Sequence, residues 1–487
     1  MSSSTATKET PAEAPAKAKA SSQTLDRGAL SWQATAFQGL ATIGPAFAVL
    51  AILQFTASFV GVSVPLMLIA GVVIIFAEIA IVSRLAGRWP SAGGWFTWIA
   101  SALHPRAGFL GGWIWSIWIP PAAMLTVAYL ASAVLQPAVM AYYNVDIAWQ
   151  WWVVAIMIPV IVCAYEGIRS SIKVLMWTTT FEILIFLVLG LAGLFHPGPG
   201  GISAQPFNPS NLSTAPALFL GLVFSLFSFT GWESIGPLSE ESADPRRNVP
   251  KSMYAAVGVY FVFLVIACYG IMTGWGVDNI STLVTSPQFP GTALAQKLWG
   301  GWWILVLLAL LNSGFAVALG AFHGGSRTWY GMGRAGILPK WLDKISGSHK
   351  VPTNGLHLMT ALSVVTFGVA WLGGVSNVYL AWVLMITLIL ILLYSMANIG
   401  VIVQFFRRTK GFTNWFLCLL LPAAVTVWLG VVFYNNVVPF PAAPLRYGLY
   451  LLGGWLVLGL IWLGVMQATG RKDWLERARQ AFDESQS

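Results

Sequence analysis

The feature that limits this chain most is the recurrence of apolar runs about 20 residues long, the length that crosses a bilayer's hydrocarbon core as a helix. "VPLMLIAGVVIIFAEIAIV" (64–82) and "WVLMITLILILLYSMANIGVIV" (382–403) are two of them. In lipid every backbone N–H and C=O must find its partner inside the protein, so such runs can only be helices. The remaining composition agrees: 57% of the 487 residues are hydrophobic and 9% charged. Soluble domains carry about 25% charged residues, so a soluble globule of this chain would lack a surface.

Twelve spans are predicted, at about 32–58, 62–83, 107–137, 149–166, 173–195, 215–239, 252–274, 301–330, 355–373, 376–406, 413–434 and 446–468. An even number returns both termini to one side. The net charge of +9 could suggest a nucleic-acid partner, but its placement argues otherwise. Of 26 Lys and Arg residues, only Lys297 and Arg446 fall on the far side of this topology. That is the positive-inside bias of a membrane protein, and it puts both termini in the cytoplasm of a plasma-membrane protein. Residues 1–30, rich in Ser, Ala, Pro and Lys, read as a disordered tail, and 471–487 as a second cytoplasmic tail. The stretches 84–106, 243–251, 327–350 and 407–410 read as cytoplasmic loops. "PQFPGTALAQKLWGG" (287–301) reads as a short external helix. Cys163, Cys268 and Cys418 lie in or beside apolar spans with no spacing for zinc or disulfides, and the five histidines are scattered. No H-E-x-x-H, nucleophile elbow or other catalytic constellation occurs, so neither an enzyme, a metal nor a cofactor is implied.

Two spans carry interruptions. The first contains "TIGPA" (Thr42–Ala46), where Pro45 cannot donate to a helical ladder and Gly44 is a poor helix former. The sixth reads "FSFTGWESIGPLSEESADPRRNVPKSM" (227–253), an apolar run that stops near Phe229 and is followed by Gly231, Trp232 and the acid Glu233. If spans 1–5 and 6–10 are two repeats, the breaks fall at matching positions, which is the best sequence pointer to a transporter's binding site.

Three motifs in order, this one, "RWPSAGGWFTW" (88–98) and "RTWYGMGRAGILPKWL" (327–342), make the chain resemble the amino acid–polyamine–organocation permeases over about residues 30–410. The resemblance implies an all-α polytopic membrane protein of 12 transmembrane helices. A LeuT-like five-plus-five inverted-repeat core fills 31–410, with repeats at about 31–196 and 214–406 and broken helices 1 and 6. Two additional helices follow at 411–470. The sequence departs from the family at the first break, where "IGPAFA" replaces a Gly-x-Gly segment.

An unwound segment exposes backbone groups that must face protein, water or ligand. The donors of Ala46 and Phe47, at the start of a half-helix, suit a substrate carboxylate, with Ile43 beside them and Gly44 letting it approach. Carbonyls around Ser228, Phe229, Thr230 and Gly231 suit an ammonium group. By resemblance Phe227 is an aromatic gate, and Trp232 is a second candidate for the pocket wall. The expected substrate is therefore an amino acid or related amine, carried by alternating access.

Three acids lie within spans: Glu78, Glu182 and Glu233. A charge there is costly, so each is a functional suspect, and a carboxyl buried without a counter-charge is a candidate proton carrier. Aligned on "GIRSSIK", Glu182 stands where several relatives have a lysine linked to proton coupling. Glu233 matches a proton-sensing glutamate of some family exchangers. These two are the expected coupling residues, with protons as the coupling ion and Asn312 and Ser313 reaching the region of Glu182. Glu78 is expected to pair with Arg84, and Glu240 and Glu241, with Arg246 and Arg247 nearby, to form either a charge network that closes the inner mouth or simply a solvated loop. Symport with protons leads this reading. Exchange without net proton coupling, or a non-transporting nutrient sensor on the same fold, stand as alternatives.

Overall fold

The computed structural model describes residues 24–212 and 215–468. Among the described residues the regular structure is helical, apart from one isolated parallel bridge between Leu30 and Ser242. Ten helical stretches are long and apolar enough to cross a membrane, and Trp149–Tyr165 is a shorter apolar helix. The chain is a multi-pass membrane protein.

The first stretch runs 57 residues, from Trp32 to Arg88, and glycines divide it. Helix α1 (Trp32–Ile43) ends at Gly44, whose φ of +72° turns its N–H back to the Ala41 carbonyl, and α2 (Pro45–Val60) starts at once. Gly tolerates the left-handed conformation that stops a helix. Pro45 then suits the first helical position, where no N–H is needed. A second glycine, Gly61, and a short turn separate α2 from α3 (Val64–Arg88). The interruption expected at "TIGPA" is therefore a real break between two half-helices.

Helix α4 (Trp95–Ala102) lies inside the stretch expected to be a loop at 84–106. The reason is burial: Trp95 and Trp98 are fully enclosed, and the Trp98 indole donates to the Trp89 carbonyl at 3.1 Å. Helix α5 (Pro105–Tyr129) runs through Pro120 and Pro121 and continues by one π-helical turn into α6 (Gln136–Tyr143). Next come α7 (Trp149–Tyr165) and α8 (Ile168–Phe195).

The second interruption follows. Helix α9 (Ala215–Ser228) stops, Phe229–Gly231 is not helical, and a 3-10 helix covers Trp232–Glu241. Then come α10 (Pro245–Trp275), α11 (Ile280–Val284), α12 (Pro290–Trp299) and α13 (Ile304–Arg334). Helix α12 is the short helix expected over 287–301. Helices α14 (Thr353–Gly373), α15 (Val375–Phe406), α16 (Leu421–Val437) and α17 (Leu445–Ala468) complete the chain. The half-helix α1 packs among α8, α10, α13 and the 3-10 helix, while α16 and α17 lean on α15 from outside.

Two further expectations are corrected. Arg327 does not open a loop: α13 continues to Arg334, and Arg327 is buried. Within the expected tail at 1–30, the last seven residues are seated on the protein. Leu25 and Leu30 are buried, Leu30 donates to the Glu241 carbonyl at 2.9 Å, and Ala243 donates back to Leu30 at 3.0 Å. Asp26 is held by Arg169 at 2.6 Å and Lys350 at 3.2 Å. The Arg169 guanidinium, with help from Lys350, keeps the Asp26 carboxyl below the usual carboxylate range. The rest of that tail and the expected tail at 471–487 lie outside the described residues.

Candidate functional site

The two breaks meet. A Cβ on Gly231 would lie 2.6 Å from the Ile43 nitrogen, so only glycine lets the two backbones approach this closely. The Ser234 hydroxyl ties them further, donating to the Thr42 hydroxyl at 3.0 Å. Beside this junction lies a cavity. Of the expected pocket residues, Ile43, Phe47, Phe227, Ser228 and Thr230 line it. Phe227 stands edge-on to Trp382, with ring centroids 5.7 Å apart. The remaining expected residues lie behind the wall. Gly44 faces Val317 and Ser313 of α13, so it does not open a path for a ligand. Phe229 packs edge-on against Tyr260, and Trp232 stacks on Tyr394. Ala46 is buried, and Gly231 is occupied by its contact with α1.

Sequence reasoning missed the other half of the wall: Phe55, Trp118, Thr126, Phe224, Val317 and Trp382 also line the cavity. Trp118 and Thr126 come from α5 and Trp382 from α15. These helices pass the site without a break, so no local signal singles them out. Among the described residues no Asp, Glu, Lys, Arg or His lines the cavity.

The donors expected to receive a substrate carboxylate are engaged by the protein itself. Phe47 N–H donates to the Ser313 hydroxyl at 3.1 Å. The Glu182 carboxylate lies at the Ala46 N–H and the Ser313 hydroxyl, and Asn312 donates to its Oε2 at 2.8 Å. Asn312 and Ser313 thus reach Glu182 as expected. Glu182 Oε1 has no hydrogen bond among the described residues. The second break repeats the pattern. Gly231 N–H donates to Glu233 Oε2 at 2.7 Å, and the Tyr394 hydroxyl donates to Oε1. Both half-helices that start at the junction therefore have a protein carboxylate at their N-terminal ends, where the helix dipole favours an anion. Both glutamates are fully buried, and no ion pair to either is formed among the described residues.

Glu78 does not pair with Arg84. It accepts from Asn398 of α15 at 3.0 Å, while Arg84 donates to the Gly411 carbonyl. Nor do Glu240 and Glu241 pair with Arg246 and Arg247. The buried Arg327 takes both oxygens of Glu241, with Nη2 to Oε1 at 2.9 Å, and Arg334 takes Glu240, which also accepts from Ala92 N–H at 3.0 Å. Sequence proximity favoured the neighbouring arginines. The reach of α13 down to this end decides the partners instead.

A buried polar chain runs from the junction and was not expected. The Gln38 amide nitrogen donates to the Gly320 carbonyl at 3.1 Å, leaving its oxygen to accept from His323 Nδ1 at 3.0 Å. The other ring nitrogen meets the Ser171 hydroxyl at 3.1 Å. Among the described residues no group of three or more His, Cys, Asp or Glu is placed to hold a metal ion.

The amino acid permease family profile matches residues 30–461, a span that holds both breaks and every cavity residue. The chain belongs to the amino acid permease family. Among its relatives, the low-affinity putrescine importer PlaP of Escherichia coli K12 is 24% identical over 420 residues, covering 81% of this permease and 85% of the importer. The polyamine transporter PUT1 of Oryza sativa subsp. japonica is 29% identical over 294 residues, 58% of this permease and 52% of PUT1. The gamma-aminobutyric acid permease of Bacillus subtilis 168 is 24% identical over 296 residues, 57% and 59% of the two chains. The match extends into α17, so in this permease the family resemblance reaches past the core expected to end near 410.

Proposed function

We propose that this permease is a secondary active transporter that carries amino acids or related amines across the plasma membrane, driven by protons through alternating access. The carrying observation is the meeting of two broken helices beside one cavity. Broken helices at matched positions are where transporters of inverted-repeat design bind cargo. We read twelve crossings from the ten long apolar stretches and the short one: two in Trp32–Arg88, one in Trp149–Tyr165 and one in each of the remaining nine. The basic loops and both tails then face the cytoplasm. The names of the relatives support small amines and amino acids as cargo.

Glu182 and Glu233 carry the protons in this reading. Each is buried without a counter-charge, each sits at a half-helix start, and loss of its charge would weaken the hold on that half-helix. The test is transport by purified protein in liposomes. The Glu182→Gln variant is expected to lose accumulation driven by a pH gradient while keeping exchange of labelled for unlabelled cargo. Accumulation equal to wild type would remove Glu182 from the coupling.

A further inference from the structure

We infer that the cargo is an organic monocation with an apolar body and no carboxylate: a monoamine rather than an amino acid. The inference rests on the transport reading above and narrows its substrate.

An amino acid needs two opposite sites, and the junction supplies one. Donors for a carboxylate would have to come from the half-helix starts. At the first start, Pro45 has no N–H, Phe47 is taken by Ser313, and Ala46 faces Glu182. At the second, Gly231 is taken by Glu233. A substrate carboxylate placed at either would meet a protein carboxylate with no basic residue on the cavity wall to offset the repulsion. Two indole N–H groups on the wall, Trp118 and Trp382, lack partners among the described residues. They are neutral donors, suited to a neutral acceptor on the cargo and unable to balance a full negative charge.

Acceptors, by contrast, are free. The carbonyl of Thr230, just past the C-terminal end of α9, receives no hydrogen bond among the described residues. The Thr230 hydroxyl, on a residue only 8% exposed, has no partner either, and Thr230 lines the cavity. A helix C-terminus carries partial negative charge and favours a cation. The aromatic wall around it offers ring faces that attract an ammonium and accept an apolar body. With no acid on that wall, a second ammonium has no counterpart, which distinguishes this cavity from one built for a diamine.

The experiment is thermal unfolding of the purified full-length protein in detergent with four probes, since a ligand of the folded state raises its melting temperature. 2-Phenylethylamine is the test cation. Phenylalanine adds only the carboxylate, 2-phenylethanol replaces only the ammonium, and putrescine adds a second charge. 2-Phenylethylamine is expected to raise the melting temperature, with an affinity at least about tenfold above each of the other three. Thr230→Val is expected to weaken it severalfold. Phenylalanine binding the wild type as tightly as 2-phenylethylamine overturns the inference and leaves the transporter reading intact. Equal binding of 2-phenylethanol, or preferred binding of putrescine, overturns it as well. Absence of binding by all four overturns it too, and uptake of a labelled amino acid mixture into liposomes then judges the transporter reading separately.

Discussion

The bidentate pair between Arg327 and Glu241 makes a prediction whose size follows from its geometry. Both side chains are buried, and the guanidinium makes two bonds to the carboxylate and a third, from Nη1, to the His323 carbonyl at 3.1 Å. Glu241→Gln preserves the shape and removes the charge. One guanidinium N–H then faces an amide N–H and loses its acceptor, a hydrogen bond to a charged group worth about 1.5–3 kcal/mol. The other keeps an oxygen but falls to roughly half its strength. The expected loss is therefore about 2–4.5 kcal/mol, overlapping the ~3–5 kcal/mol seen when one partner of a buried pair is removed. Replacing both, as Glu241→Met with Arg327→Met, removes the stranded charge and is expected to recover most of that loss. The assay is tryptophan-detected thermal unfolding in detergent, supported by the 25 tryptophans. A Gln variant within about 0.5 kcal/mol of wild type, the range of ordinary surface changes, would refute the reasoning. So would a double variant as unstable as the single.

Other consequences are smaller. Gly44→Ala places a Cβ 2.3 Å from the Val317 side chain at a φ of +72°, and the left-handed conformation alone costs about 1–2 kcal/mol. The melting temperature should fall, and Val317→Ala should restore only the steric part. Asp26 has a depressed folded pKa, so its contribution is complete above the unfolded value of about 3.9 and is lost as pH falls through the folded value. The protection of residues 24–30 against hydrogen exchange, taken relative to the intrinsic rate at each pH, should therefore be flat from neutral pH to about pH 5 and fall only in stronger acid. Asp26→Asn should show the faster exchange already at neutral pH.

The long helices and both breaks were legible because hydropathy and Gly/Pro punctuation are local signals. Gly44, Pro45 and Gly231 do in the structure what their backbone chemistry predicts. The cavity wall was legible only where a break drew attention to it. Trp118 and Trp382 sit in uninterrupted helices of a chain with 25 tryptophans and 28 phenylalanines, and nothing in their flanks separates a lining ring from a packing one. Charge partners failed for a different reason. Arg246 and Arg247 follow Glu241 closely in sequence, but the depth to which α13 descends puts Arg327 beside it. Helix α4 was read as loop because eight residues are too few to span a membrane, and its two enclosed tryptophans show that burial rather than length made it helical.

The placement of Glu182 and Glu233 bears on how protons and cargo could be linked in the proposed cycle. An anion at a helix start contributes about 0.3–1 kcal/mol at exposed sites and up to ~2 kcal/mol in partly buried geometry. Neutralising both carboxylates would therefore shift the balance between inward- and outward-facing states by about 4 kcal/mol at most. Reversing a 99:1 preference requires about 5.5 kcal/mol. Protons alone fall short, and cargo must supply the remainder through contacts it makes in one state and not the other. The free carbonyl of Thr230 is the group positioned to do so, since it lies on the cavity wall and flanks the same turn whose N–H Glu233 holds. A transporter built this way moves its breaks only when both ligands are bound, so proton leak without cargo should be slow. Leak through Glu233→Gln, which is permanently neutral at the second break, should then depend on cargo no less than leak through wild type does. Proton flux measured in liposomes with and without cargo decides it: fast, cargo-independent leak in that variant would mean that the carboxylate alone holds the gate.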